Sequence, residues 1–157
     1  MPSIHITTVI HAPIERCFDL ARSIDLHQYT SARTNEKAIA GVTKGLINKG
    51  ETVTWEAKHF GILQTLTSEI TKMERPYGFE DCMVKGAFKK IKHLHTFEKN
   101  GEQTIMKDMF EFESPLGFLG KLFNKIILTN YMKRFLLERN NEIKKIAESE
   151  EEWKKYC

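Results

Sequence analysis

The sequence has no run of about 18 consecutive apolar residues, the length a helix needs to cross a bilayer. Met1-Pro2-Ser3-Ile4-His5-Ile6 lacks the basic region and apolar core of a secretory leader, so a cytoplasmic protein is expected. Cysteine is scarce. Cys17, Cys82 and Cys157 are odd in number and far apart, which fits neither a disulfide framework nor zinc-motif spacing and reads as free thiols. Neither charge sign dominates: 24 Lys and Arg stand against 21 Asp and Glu, a formal net charge of +3 too evenly mixed for a nucleic-acid partner. Motifs of phosphate binding and covalent catalysis are also missing. Gly50 is followed by Glu51 where a phosphate loop needs lysine, and there is no nucleophile elbow or metalloprotease helix motif. With neither repeats nor an interdomain linker, residues 1–157 are expected to form one domain large enough to bury a core.

What is present is a clear order of elements. Residues 3–11 alternate as a strand, and Pro13 then stands at a plausible first helical position before apolar groups at helical spacing through Ala21. A second short helix is expected near Ile24 to Tyr29. About six strand candidates follow, broken by glycines and Pro76, and their short connections make them antiparallel. Ser114-Pro115 signals a helix start, and from there helical spacing persists almost to the C-terminus. On that last helix Leu128, Met132, Phe135, Arg139, Ile143 and Ile146 share one stripe, with Lys133, Asn140, Lys144 and Lys145 elsewhere. Residues 148–157 read as a solvated tail. The layout is α+β: a curved antiparallel sheet of about seven strands, closed on its apolar side by the last helix, with room for a pocket between them.

Turn chemistry assigns side chains to faces. Phe60-Gly61 as a two-residue turn sets His59 opposite Ile62, Ala57 opposite Gln64 and Trp55 opposite Leu66, making His59 and Gln64 polar guests on an apolar inner face. Asn100-Gly101 as the next turn sets His93 opposite Asp108 and His95 opposite Met106, on the face of Ile91, Phe97, Phe110 and Phe112. A polar cluster of His93, His95 and Asp108 within an apolar lining follows. Asp81 joins it in one strand register, and Glu80 turns inward in another. Arg139 is the candidate to meet these carboxylates, since a buried charge is costly unless paired.

Blander readings stand beside each of these. The His/Asp cluster also reads as a satisfied core network, Trp55, Phe110 and Phe112 as ordinary core, and Arg139 as a side chain reaching the edge. His93 and His95 with no third ligand at motif spacing are a weak metal signal, so no metal and no cofactor is expected. His27 and Tyr29 read as an exposed helix end or a cavity mouth. The apolar stretch Leu116 to Leu128 reads as a packed helix, as a movable lid, or as a patch that touches membrane transiently while a lipid-like ligand is exchanged.

Val9-Ile10-His11-Ala12-Pro13 followed by Cys17-Phe18-Asp19-Leu20-Ala21, with this order of elements, resembles the START-like superfamily, also called SRPBCC or polyketide cyclase/dehydrase and lipid transport. Ile24-Asp25-Leu26-His27, Glu36 to Gly41, Thr52 to Gly61, His93 to Phe97 and Tyr131 to Phe135 are similar to a bacterial branch described as a ligand-binding SRPBCC domain. The resemblance runs from about Ile4 to about Ile146, with Ala87 where that branch would place a proline. It implies the helix-grip fold and a deep apolar cavity for a small hydrophobic molecule. On that basis Trp55, His59, Asp81, His93, His95 and Asp108, with Phe110, Phe112, Met132, Phe135 and Arg139, are the candidate ligand contacts. The partner expected is a small hydrophobic ligand with a polar end, bound by a monomer or homodimer. The alternative is a cyclase, dehydratase or isomerase using His93 and Asp108 as an acid/base pair.

Overall fold

A computed structural model of the chain describes residues 1–114, 117, 122 and 124–157. β1 (Ser3–Ile10) leads into α1 (Ile14–Ala21) and α2 (Ile24–Thr30). A meander follows: β2 (Lys37–Gly41), β3 (Thr52–His59), β4 (Ile62–Glu74), β5 (Gly78–Lys85), β6 (Lys90–Asn100) and β7 (Gln103–Glu113). A π-helical turn (Asn124–Leu128) then runs into α3 (Thr129–Ala147). All seven strands form one antiparallel sheet in the order β1-β7-β6-β5-β4-β3-β2, so the first strand closes onto the last and the meander fills the rest. Bulges in the β4/β5 pairing add the bend that curves the sheet around the helix.

Pro13, read as the first helical residue, stands at the N-cap of α1 with extended backbone. α1 buries Ile14, Cys17, Phe18, Leu20 and Ala21. Phe18 meets the rings of Phe79 and Phe97 edge-on, each at 5.5 Å. α2 starts where the Ser23 hydroxyl accepts the Leu26 N–H at 3.3 Å. The core has two parts. One gathers under α1 and the C-terminal half of α3, with Phe18, Phe97, Met106, Ile143 and Ile146. The other joins Ile4, Ile6, Ile91, Phe112 and Leu136.

The Phe60-Gly61 turn forms as read, with φ of 52° and 75°, the two positive angles of a type I′ hairpin. His59 lies opposite Ile62, and Trp55 opposite Leu66. The next hairpin differs. Its pairing is Asn100 with Gln103, which makes Gly101-Glu102 the central pair and sets His95 opposite Asp108 and His93 opposite Phe110. Gly101 takes the positive φ of 63° and Asn100 does not, as in a turn with glycine first rather than second. Moving the turn by one residue shifts the pairing by two, so the expected register is wrong while the expected face is right.

The helix start at Pro115 and most of the apolar stretch, from Leu116 to Lys121 apart from Gly117, together with Phe123, lie outside the described residues. Within that stretch Leu122, Ile126 and Ile127 are exposed and Leu128 is buried. No described helix is long and apolar enough to cross a membrane. At the chain end Glu150, Glu151 and Lys154 are exposed, while Trp153 and Tyr156 pack against the core and Arg16 lies 4.1 Å over the Trp153 ring.

Candidate functional site

Between the sheet and α3 lies a partly open cavity of about 310 Å³. The alternating inner positions of β3, β5 and β6 supply Trp55, Ala57 and His59, then Phe79 and Asp81, then Ile91, His93 and His95. The helix supplies Met132, Phe135, Leu136 and Arg139, and β7 supplies Phe110. Nine of the eleven sequence candidates therefore line one cavity. Phe112 does not: it is fully buried and packs edge-on against Phe88. Asp108 does not line it either, because it sits behind the two histidines with its carboxylate fully covered.

Asp108 organises the polar end. Its Oδ1 lies 2.8 Å from His93 Nε2 and 3.0 Å from His95 Nδ1, and its Oδ2 accepts the Asn140 amide at 2.6 Å. The His95 Nδ1 contact is off the line of a good hydrogen bond, so it acts as a charge contact. On the cavity side Asp81 Oδ2 lies 3.3 Å from His95 Nε2 and 4.0 Å from His93 Nδ1. The register question is thus answered in favour of Asp81. Glu80 points to the other face and is held there by Thr71, Lys72 and Lys92.

The electrostatics separate the two histidines. Burial and the charge of His95 push the His93 pKa down, against the pull of Asp108. Burial also acts to lower His95, but its contacts with Asp108 and Asp81 outweigh that and raise it. Burial would raise both aspartates, yet His95 and His93 hold them below the ordinary carboxylate range.

Arg139 is 6% exposed and does not pair as expected. Its guanidinium donates to the Ala21 carbonyl at 3.0 Å, and among the described residues its Nε has no hydrogen-bond partner and no carboxylate lies in ion-pair contact with it. Three further groups at the site, Asn140, Glu36 and Tyr131, escaped the sequence reading, while His27 reads from the sequence as an exposed helix end or a cavity mouth. Asn140, placed outside the apolar stripe, is fully buried against Asp108. Leu136, Asn140, Ile143 and Ala147 form a second buried stripe at helical spacing, which is the signal that could have found it. Glu36, in the irregular stretch before β2, faces the cavity with Oε2 unpartnered among the described residues and Oε1 3.1 Å from His27 Nε2. His27 belongs to the cavity wall, its ring stacked on Trp55 at 4.1 Å, whereas Tyr29 is exposed. Tyr131 places its hydroxyl 2.7 Å from His59 Nδ1. Burial lowers the His59 pKa and Glu36 partly restores it.

A metal was not expected because the two histidines lacked a third ligand nearby in sequence. The sheet brings one from the neighbouring strand: ligand atoms of Asp81, His93 and His95 all lie within 4.8 Å of one another.

No family model matches the sequence, and neither does any curated protein. Solved structures do match across almost the whole chain. The protein TTHA0849 from Thermus thermophilus is 16% identical, covers 90% of this chain and 97% of its own, and superposes with a TM-score of 0.71. The major latex-like protein 151 of Panax ginseng gives 18% identity, 93% and 97% coverage and 0.69. A START superfamily protein from Mycobacterium smegmatis gives 11%, 91% and 97%, and 0.69. Element order, sheet topology and these likenesses together show that the chain has the START-like (SRPBCC) helix-grip fold.

Proposed function

We propose that the protein binds a hydrophobic small molecule carrying a polar end, lipid-like, polyketide-like or aromatic, in the cavity between the sheet and α3. The observation that carries this reading is the pairing of an apolar wall with polar groups that have no partner among the described residues: Arg139 Nε and Glu36 Oε2. A buried polar atom without a partner costs about 1–3 kcal/mol, which a bound ligand would recover. Trp55, Phe110, Met132 and Phe135 would take the apolar body out of water. The fold's likeness to a START superfamily protein and a major latex-like protein agrees with this reading.

Native mass spectrometry of the protein purified from the cells that make it, followed by denaturing extraction, tests the proposal. A stoichiometric hydrophobic compound is the expected result. Bare protein that also fails to bind hydrophobic probes in solution would overturn it.

A second reading has one observation in its favour: His93, whose pKa burial pushes down, stands with Nε2 against Asp108 and Nδ1 toward the cavity. That is the arrangement of a general base on an enolisable substrate. Turnover lost in both His93→Ala and Asp108→Asn would support it, and unchanged turnover would remove it.

A further inference from the structure

Two histidines two residues apart on β6 project from one face, their ring centroids 3.7 Å apart. Each ring sets one nitrogen against Asp108 Oδ1, at 2.8 Å for His93 Nε2 and 3.0 Å for His95 Nδ1. A carboxylate accepts hydrogen bonds and cannot give them, so the close Nε2 of His93 carries the proton and, in the neutral ring, Nδ1 carries a lone pair. That lone pair faces Asp81 Oδ2 at 4.0 Å, beyond hydrogen-bond reach. The same Asp81 oxygen lies 3.3 Å from His95 Nε2, so both imidazoles and one carboxylate converge on a single point at the cavity wall.

His95 Nε2 and Asp81 pair with each other, and the arrangement also matches a metal site viewed from the ligands outward. Histidine ligands turn one nitrogen to the ion and the other to a carboxylate that fixes the ring. Here one buried carboxylate hydrogen-bonds His93 Nε2 and faces His95 Nδ1 as a charge contact, and Asn140 anchors its second oxygen at 2.6 Å. First-row cations bind His nitrogen and carboxylate oxygen at about 2.0–2.2 Å, so ligand atoms sit roughly 3–4 Å apart. The three groups lie within 4.8 Å of one another, and a small movement of the partly exposed Asp81 side chain closes the difference.

We propose that Asp81, His93 and His95 bind a divalent first-row cation such as Zn²⁺ at the cavity wall, with Asp108 as the carboxylate that orients both imidazoles. Three protein ligands leave positions open toward the cavity, where water or an oxygen of a bound molecule completes the shell. That last step rests on the ligand-binding reading above; the metal site itself does not.

The test uses the untagged full chain, stripped with a chelator and titrated with Zn²⁺ by calorimetry and with Co²⁺ by visible absorption. One equivalent is expected, with the visible bands of a low-symmetry Co²⁺ site. Asp81→Asn and His95→Ala should abolish the bands while circular dichroism shows the fold retained, and Asp108→Asn should weaken affinity about 10–100-fold. His11→Ala, at an exposed histidine far from the site, should change nothing. Absence of stoichiometric binding to folded protein, or unchanged affinity in folded Asp81→Asn, overturns the site. A hydrophobic fluorescent probe added to the stripped protein separates the two proposals. Probe binding without metal binding sinks the metal site alone, and metal binding without probe binding sinks the ligand reading alone.

Discussion

Asn140, on the last helix, donates its side-chain amide to Asp108, on the last strand, over 2.6 Å with both residues buried. This contact ties α3 to the sheet behind the cavity and fixes the carboxylate on which both histidines lean. A hydrogen bond to a buried charge contributes about 1.5–3 kcal/mol, so Asn140→Ala should lower stability by about 2 kcal/mol. Asn140→Asp should cost more at neutral pH by placing a second carboxylate against Asp108, and part of that loss should return on acidification. Chemical denaturation at two pH values measures both.

Glycine is required by different things at different turns. At Gly41, with φ of 71°, an added Cβ would stand 2.2 Å from the Thr52 carbonyl oxygen. Gly50 has φ of 82° but open space around it. Gly50→Ala should therefore cost about 1 kcal/mol through backbone strain alone. Gly41→Ala should cost well above that, since the two strands would have to part. Denaturant midpoints of the two variants decide this, and equal losses would refute it.

Asp19 holds α1 to the end of β4 through Arg75 at 2.7 Å, and to Arg22 at 2.8 Å. Burial would raise its pKa, but the two guanidinium groups hold it below the ordinary carboxylate value. A depressed folded-state pKa means that the stabilisation is fully present above the unfolded value, about 3.9, and is lost as pH falls through the folded one. The stability gap between wild type and Asp19→Asn should be constant from pH 7 to about 5 and close progressively in more acidic solution. Melting curves across that range test the sign.

Trp55 lies on the cavity wall with His27 stacked on it, while Trp153 packs near the C-terminus under Arg16. In Trp153→Phe, the fluorescence of the remaining Trp55 should change when a hydrophobic probe enters the cavity. In Trp55→Phe, the Trp153 signal should stay constant under the same titration. The opposite pattern would place the probe elsewhere.

The sequence by itself determined the element order, the single antiparallel meander and the identity of the inward faces. These follow from local physics: period-two and helical apolar spacing, and turns whose glycines fix which residues can pair. Parity is robust, which is why His93, His95 and Asp108 came out on one inner face although the β6/β7 register was misread by two. Only the tertiary structure decided which polar groups meet. Asp81 reaches the histidines from β5, which pairs Asp81 with His93 in a register that the connection between the two strands leaves open. Glu36 enters from an irregular segment, and Asn140 turns inward on a stripe that only the helix's rotation against the sheet selects. Arg139 bonds to the Ala21 carbonyl at the end of α1, a partner 118 residues distant in sequence, rather than to the carboxylates that charge alone suggested. Contacts of that kind depend on how elements pack in three dimensions, and packing is settled by the summed burial of the whole core rather than by any residue's neighbours along the chain.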